Sequence, residues 1–212
     1  MLQAHIKQAK QLIVSEPDNH QGYQFLIKYY IFDVLQGKQI GNIKELKMGE
    51  IKKIKEGLPY FKKFCTINKS AEMYSQFGMI NKIIGNHEEA EWGFQNAIKL
   101  DKNNIIFHAQ YAHALILSGK DIEGSKMMIK VIGMINELSD KEIIKVKKSG
   151  LIQEYIGIYS LACNHFFEKN NVNILADILA SAIKKFPGET GELLINTGQM
   201  MKVKKSHAGL IH

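Results

Sequence analysis

Two pairs of small residues recur at a spacing of 34: Gly78 with Ala112, and Ala90 with Gly124. Small residues are what two helices need where their backbones cross closely, and chance rarely puts two such pairs in one register. The sequence around them carries helical periodicity. Leu2, Ile6, Ala9 and Ile13 lie on one face of a helix that Pro17 ends. The next apolar run begins near Tyr23 and takes in Phe25, Leu26, Tyr30 and Ile31. Asn86 and Ser139 each stand three residues before a glutamate, Glu89 and Glu142, which is the spacing of a capping box. Gly85 and Gly119 each divide two amphipathic segments, as tight helix–helix turns require. No stretch sustains the alternation of a strand, and only 3 prolines interrupt the chain. The expected fold class is all-α.

Residues 71–104 resemble one tetratricopeptide repeat, whose pattern is W-x2-L-G-x2-Y, then A-x3-F, then P. Here it reads Tyr74-x2-Phe77-Gly78-x2-Asn81, then Ala90-x3-Phe94, then Ala97, with Lys102 in the proline slot. Residues 105–138 repeat it as His108-x2-Tyr111-Ala112-x2-Leu115, Gly119, then Gly124-x3-Met128. Looser matches flank these two. Within 156–188 stand Tyr159-x2-Ala162-Cys163-x2-Phe166, Leu175-x3-Leu179, Ala182 and Pro187. Within 20–70, a first helix from His20 to Tyr30 has a partner ending near Asn68 that carries a 17-residue insertion. A second 17-residue spacer covers 139–155. One such helix pair cannot bury its apolar face alone, so pairs stack. The resemblance therefore implies a right-handed α-solenoid of helix hairpins, with capping helices near 2–14 and 192–202. It predicts a single repeat domain over 1–201 and a basic tail over 202–212.

All 28 basic residues are lysine, and the net charge is +7. Arginine fingers, bidentate guanidinium forks on phosphate and arginine reading of guanine are thereby excluded. With abundant isoleucine and asparagine, the lysine bias reads as an AT-rich genome rather than a selected charge pattern. Lysines cluster at Lys52, Lys53 and Lys55, at Lys62 and Lys63, at Lys145, Lys147 and Lys148, and at Lys202, Lys204 and Lys205. Ile51, Ile54 and Leu58 form the apolar face beside the first cluster, so these lysines read as wet helix faces rather than a phosphate track. Nucleic acid is not an expected partner.

Chemistry finds no carrier in the sequence. His108 and His113 are five apart and diverge around a helix, as do Cys163 and His165. Cys163 falls in a slot that packs a small residue, which makes it a buried, inert thiol. No zinc-protease, phosphate-loop, dinucleotide or nucleophile-elbow motif occurs. A non-catalytic chain without cofactor or metal is expected. No apolar run reaches membrane-spanning length. The first ten residues carry no secretory signal, and neither end carries a lipidation motif. With two cysteines and no disulfide framework, the expected compartment is the reducing cytoplasm.

In the tetratricopeptide family the first helix of each repeat lines a concave groove that takes extended or helical peptides. Carried over by register, the groove would comprise Gln24, Lys28, Ser75, Met79, Lys82, Ala109, His113, Ile116, Ser160 and Asn164. Ser75 and Met79 occupy slots where the family's chaperone-tail binders carry a lysine and an asparagine, and Gln110 replaces a further asparagine. That carboxylate clamp is absent. What remains is a mixed groove, with Met79 and Ile116 as apolar anchors and Lys28, Lys82 and His113 setting charge preference. At an ordinary pKa near 6.5, His113 would tighten an acidic peptide as pH falls. The plain alternative is that these residues face solvent in a spacer array. Trp92 is expected to pack against a neighbouring helix, with an exposed partner-binding surface around it as the rival site. The expected function is a protein-interaction scaffold or adaptor. An RNA-binding helical repeat, a secretion-type chaperone and the helper module of a separate enzyme stand as alternatives. The sequence names no partner and no oligomeric state.

Overall fold

A computed structural model of the chain describes residues 1–38 and 46–208, with side chains described as far as 202. Among the described residues every regular element is a helix. They fall into two compact units, Met1–Ser118 and Gly119–His212. The division comes at Gly119, in a tight turn inside the second 34-residue span, whereas the sequence reading treats 1–201 as one domain. Gly119 takes a φ of 79°, which glycine reaches without steric cost.

In the first unit, α1 (Leu2–Ser15) buries Ile6 and Ala9 and stops before Pro17. Asn19 then caps α2 (His20–Ile27), its side-chain oxygen accepting from the Gln21 amide at 2.9 Å. The two helices nearly touch at Gly22, where a Cβ would come 2.6 Å from Ile13 Cγ2. After α2 the chain widens into a π-helical segment, Lys28–Phe32, and closes with the short α3 (Asp33–Leu35). The partner helix α4 (Met48–Asn68) ends at the expected residue. Gly57 of α4 lies against the π segment, since a Cβ there would come 2.5 Å from Tyr30 Cβ and 2.9 Å from Ile31 Cγ1. Residues 39–45, within the expected 20–70 repeat, lie outside the described residues.

The next three helices, α5 (Ala71–Ile83), α6 (His87–Leu100) and α7 (Ile105–Leu117), follow the periodic reading closely. Ser70 starts α5 and Asn104 starts α7, each accepting from the backbone amide three residues on. Gly85, with a φ of 80°, turns the chain between α5 and α6. Phe61, Phe77 and Tyr74 build the core beside α4, while Phe94, Ala90 and Ala114 build it between α6 and α7. The capping box expected at Asn86 and Glu89 does not form. Asn81 is completely buried, and its side chain donates to the Phe77 carbonyl at 2.9 Å. Its remaining oxygen accepts from the Asn86 side-chain amide at 3.2 Å, so Asn86 serves the turn instead of the helix end. Glu89 meanwhile pairs with Lys62 at 2.7 Å.

The second unit contains α8 (Asp121–Glu137), α9 (Asp140–Lys148), α10 (Ile152–Glu168), α11 (Val172–Lys185) and α12 (Gly191–Ala208). The Ser139–Glu142 capping box forms in both directions and starts α9, inside the expected spacer. Ala162, Cys163 and Ala182 are fully buried where α10 and α11 pack together. Tyr159 and Ser181 share a hydrogen bond of 2.8 Å across that pair. The backbone of α12 stays helical to Ala208, past the boundary expected for a tail at 202. The side chains of Lys204 and Lys205 and the last four residues of that tail, 209–212, lie outside the described residues.

Candidate peptide-binding face on helices α5 and α7

By the sequence register helices α5 and α7 would each open a repeat, and polar side chains of the two meet in a cluster. The Lys82 ammonium donates to Gln110 Oε1 at 2.6 Å and lies 3.4 Å from His113 Nδ1. These partners are 28 and 31 residues away, short of the 34-residue repeat by roughly two turns and one turn of helix. Lys82, Gln110 and His113 are all half-buried. Burial brings the Lys82 ammonium down to about 8. Burial, helped by the neighbouring Lys82 charge, brings His113 down to about 4. The expected acid switch at His113 is therefore corrected: at neutral pH the ring is neutral, and it stays neutral well below its ordinary titration range.

Met79 stands one helical turn before Lys82 on α5 and Ile116 one turn after His113 on α7, and both are half-buried. Met79 packs on the Ala90, Phe94 and Ala114 cluster, so only part of it is open to a ligand. Ser75, one turn before Met79 on α5, is also half-buried. Ala109 is 3% exposed and belongs to the core, so it presents nothing to a ligand. The register predicts its position on the helix but not how closely its neighbours cover a methyl group. Gln24 and Lys28 are exposed in the α2 region, and the Lys28 charge is met by Asp33 at 2.5 Å. Ser160 and Asn164 belong to α10 in the second unit, the first half-buried and the second exposed. Gln110 was legible only as a departure from the family pattern, although its offset from Lys82 marks it as a neighbour.

Trp92 is half-buried, its ring meeting Tyr74 at 5.3 Å and Phe77 at 5.4 Å edge-on. Lys62 lies 4.8 Å over the same ring while pairing with Glu89. The ring is thus occupied by the protein itself on more than one side. Other lysines behave alike: Lys53 sits 3.8 Å from the centre of the Tyr29 ring, and Lys147 pairs with Glu189 at 2.8 Å.

Within the second unit, Ser125 Oγ lies 2.7 Å from His165 Nε2, a hydroxyl–imidazole pair that sequence spacing does not reveal. The nearby Asp121 carboxylate is held by Lys169 at 2.6 Å. These two contacts lie one helical turn apart, along α8 and at the C-terminal end of α10, and tie the helices together. Burial pushes the Cys65 thiol up to about 12 and the Cys163 thiol up to about 11, so neither forms a thiolate readily. Among the described residues no group of three or more His, Cys, Asp or Glu side chains could hold a metal ion, and no helix is long and apolar enough to cross a membrane.

No protein-family profile matches the chain, and no curated protein matches it in sequence. Solved structures match in fold. A crystal structure of MamA superposes with a TM-score of 0.54 at 16% identity, over 85% of this chain and 85% of that one. The fold is that of tetratricopeptide-repeat proteins. A second MamA crystal structure gives a TM-score of 0.47 at 14% identity, covering 87% of this chain and 91% of that chain. The crystal structure of YrrB, described as a TPR protein with an unusual peptide-binding site, gives 0.48 at 13% identity, over 93% and 97%. In tetratricopeptide register, Tyr74, Phe77 and Gly78 fill the inner positions of α5, and Ala90, Phe94 and Ala97 those of α6.

Proposed function

We propose that this chain is a non-catalytic protein-interaction module whose α5–α7 face receives a segment of a partner protein. The observation that supports it is the cluster of Lys82, Gln110 and His113 beside Met79 and Ile116. Half-buried apolar groups next to half-buried polar donors are the ingredients of a recognition surface, since interfaces concentrate energy in a few desolvated residues. Methionine adds an adaptable contact. The unreactive, buried thiols fit a protein working in a reducing, cytoplasmic compartment.

The RNA-binding alternative is weaker on the same grounds. Three of the clustered lysines, Lys53, Lys62 and Lys147, are engaged with Tyr29, Trp92, Glu89 and Glu189 rather than left free for phosphates. Panning the whole chain against a random peptide library tests the proposal. Peptides should be recovered whose binding is lost in Met79→Ala/Ile116→Ala and kept in Trp92→Phe. Recovery only of peptides indifferent to the double variant would contradict it, provided circular dichroism shows that variant folded. Salt titration separates the two classes, because phosphate contacts weaken steeply with salt.

A further inference from the structure

Two lysines of the first unit have opposite charges beside them: Lys28 has Asp33, and Lys62 has Glu89. Lys82 does not. Its ammonium is half-buried, yet its partners are a neutral amide and an imidazole, and no carboxylate among the described residues pairs with it. Charges taken out of water are as a rule matched by an opposite charge, because desolvation otherwise goes uncompensated. An ammonium has hydrogens and no acceptor, so Lys82 must donate to His113 Nδ1. That places the imidazole hydrogen on Nε2. Two donors are then not engaged by any described residue: the third N–H of Lys82 and the Nε2–H of His113.

We propose that Lys82, Gln110 and His113 form a subsite for a carboxylate, filled by an Asp or Glu side chain of the partner segment. This rests on the reading of the α5–α7 face as a peptide-binding surface. A carboxylate accepts two hydrogen bonds in one plane, and a charge-assisted bond from Lys82 is stronger than a neutral one. Gln110 holds the ammonium in place by accepting one of its hydrogens. A single acid, rather than a phosphate chain, suits the site because the positive charge is isolated. Lys82 is the sole lysine on α5, and α7 carries none. Nucleic-acid surfaces need a run of cations along the strand.

The test uses the full chain and fluorescein-labelled peptides recovered from the library, each paired with a version in which every Asp or Glu becomes Asn or Gln. One acidic position should be required, with its replacement weakening binding about tenfold or more, as loss of a charge-assisted bond would. In Lys82→Met and in Lys82→Gln, which retains a partner for Gln110, the same replacement should change affinity less than about twofold. An acid preference that persists in both variants overturns the subsite. So does a set of peptides without acid preference that still depend on Met79 and Ile116, an outcome that leaves the binding face standing. If no peptide depends on Met79, Ile116 or Lys82, the binding face itself fails. A decauridylate RNA bound by the chain and lost on Lys82→Gln would assign the site to phosphate and overturn the carboxylate reading.

Discussion

Gly93 on α6 lies so close to Gly78 on α5 that a Cβ built on it would meet the Gly78 nitrogen at 2.7 Å and its Cα at 2.8 Å. The neighbours are backbone atoms, which cannot turn aside as a flexible side chain would. Gly93→Ala must therefore push the two helices apart. It should destabilise the first unit by about 1–3 kcal/mol or more, the range for overpacking a tight contact. Gly157→Ala is the control, because Gly157 is exposed within α10 and a Cβ there meets nothing within 4 Å. That substitution should stabilise by about 0.5–1 kcal/mol. Urea unfolding followed by circular dichroism reads both.

Lys82 works against stability at neutral pH. The unfolded chain holds this proton up to the ordinary lysine range, whereas the folded one gives it up near about 8. Between those values the unfolded state binds more protons, so stability rises with pH through that window. Lys82→Met should raise stability at pH 7 by about 1 kcal/mol, and the advantage should shrink as pH rises above 8. Urea midpoints of both proteins from pH 7 to 10 check the sign. A more stable variant that also loses its preference for acidic peptides would show stability given up for recognition.

His113 contributes on the acid side. Its folded pKa, about 4, lies below the ordinary value of 6.5, so protonation favours the unfolded chain. Stability from this residue is complete above about 6.5 and is lost as pH falls toward 4. The loss should amount to about 1–3 kcal/mol, discounted for the partly open site. His113→Gln should flatten that limb in urea titrations from pH 7 to 4. A remainder is expected from His165, whose pKa burial also lowers.

The thiols offer an independent check on burial. With Cys65 raised to about 12 and Cys163 to about 11, neither should react with a disulfide reagent at pH 8 in the native chain. Both should react on denaturation. Rapid labelling of Cys163 without unfolding would contradict the packing of α10 on α11.

The repeat spacing made α5, α6 and α7 legible because their small and aromatic residues are dictated by helix crossing, a local and periodic demand. Gly93 escaped that reading because a glycine inside a helix does not announce which backbone it touches. Asn86 misled for a related reason: its spacing to Glu89 suits a cap, but buried Asn81 needs its amide more. The π-helical segment at Lys28–Phe32 was invisible because it depends on the approach of Gly57 from another helix. At the candidate site, the lysine and histidine were found by register. Their charge states were not, because these depend on burial and on each other. Ala109 was placed by register alone, which does not report its burial.

The 9 methionines supply probes for the central claim, since Met73 and Met79 lie on the proposed helix α5 and the others elsewhere. Methyl resonances of 13C-methionine-labelled protein would be followed while a library-selected peptide is added. Met79 should shift saturably, and its shift should follow the peptide's acidic residue through Lys82. Saturation with Met79 unmoved, and with Met127, Met128 or Met200 shifting instead, would contradict it.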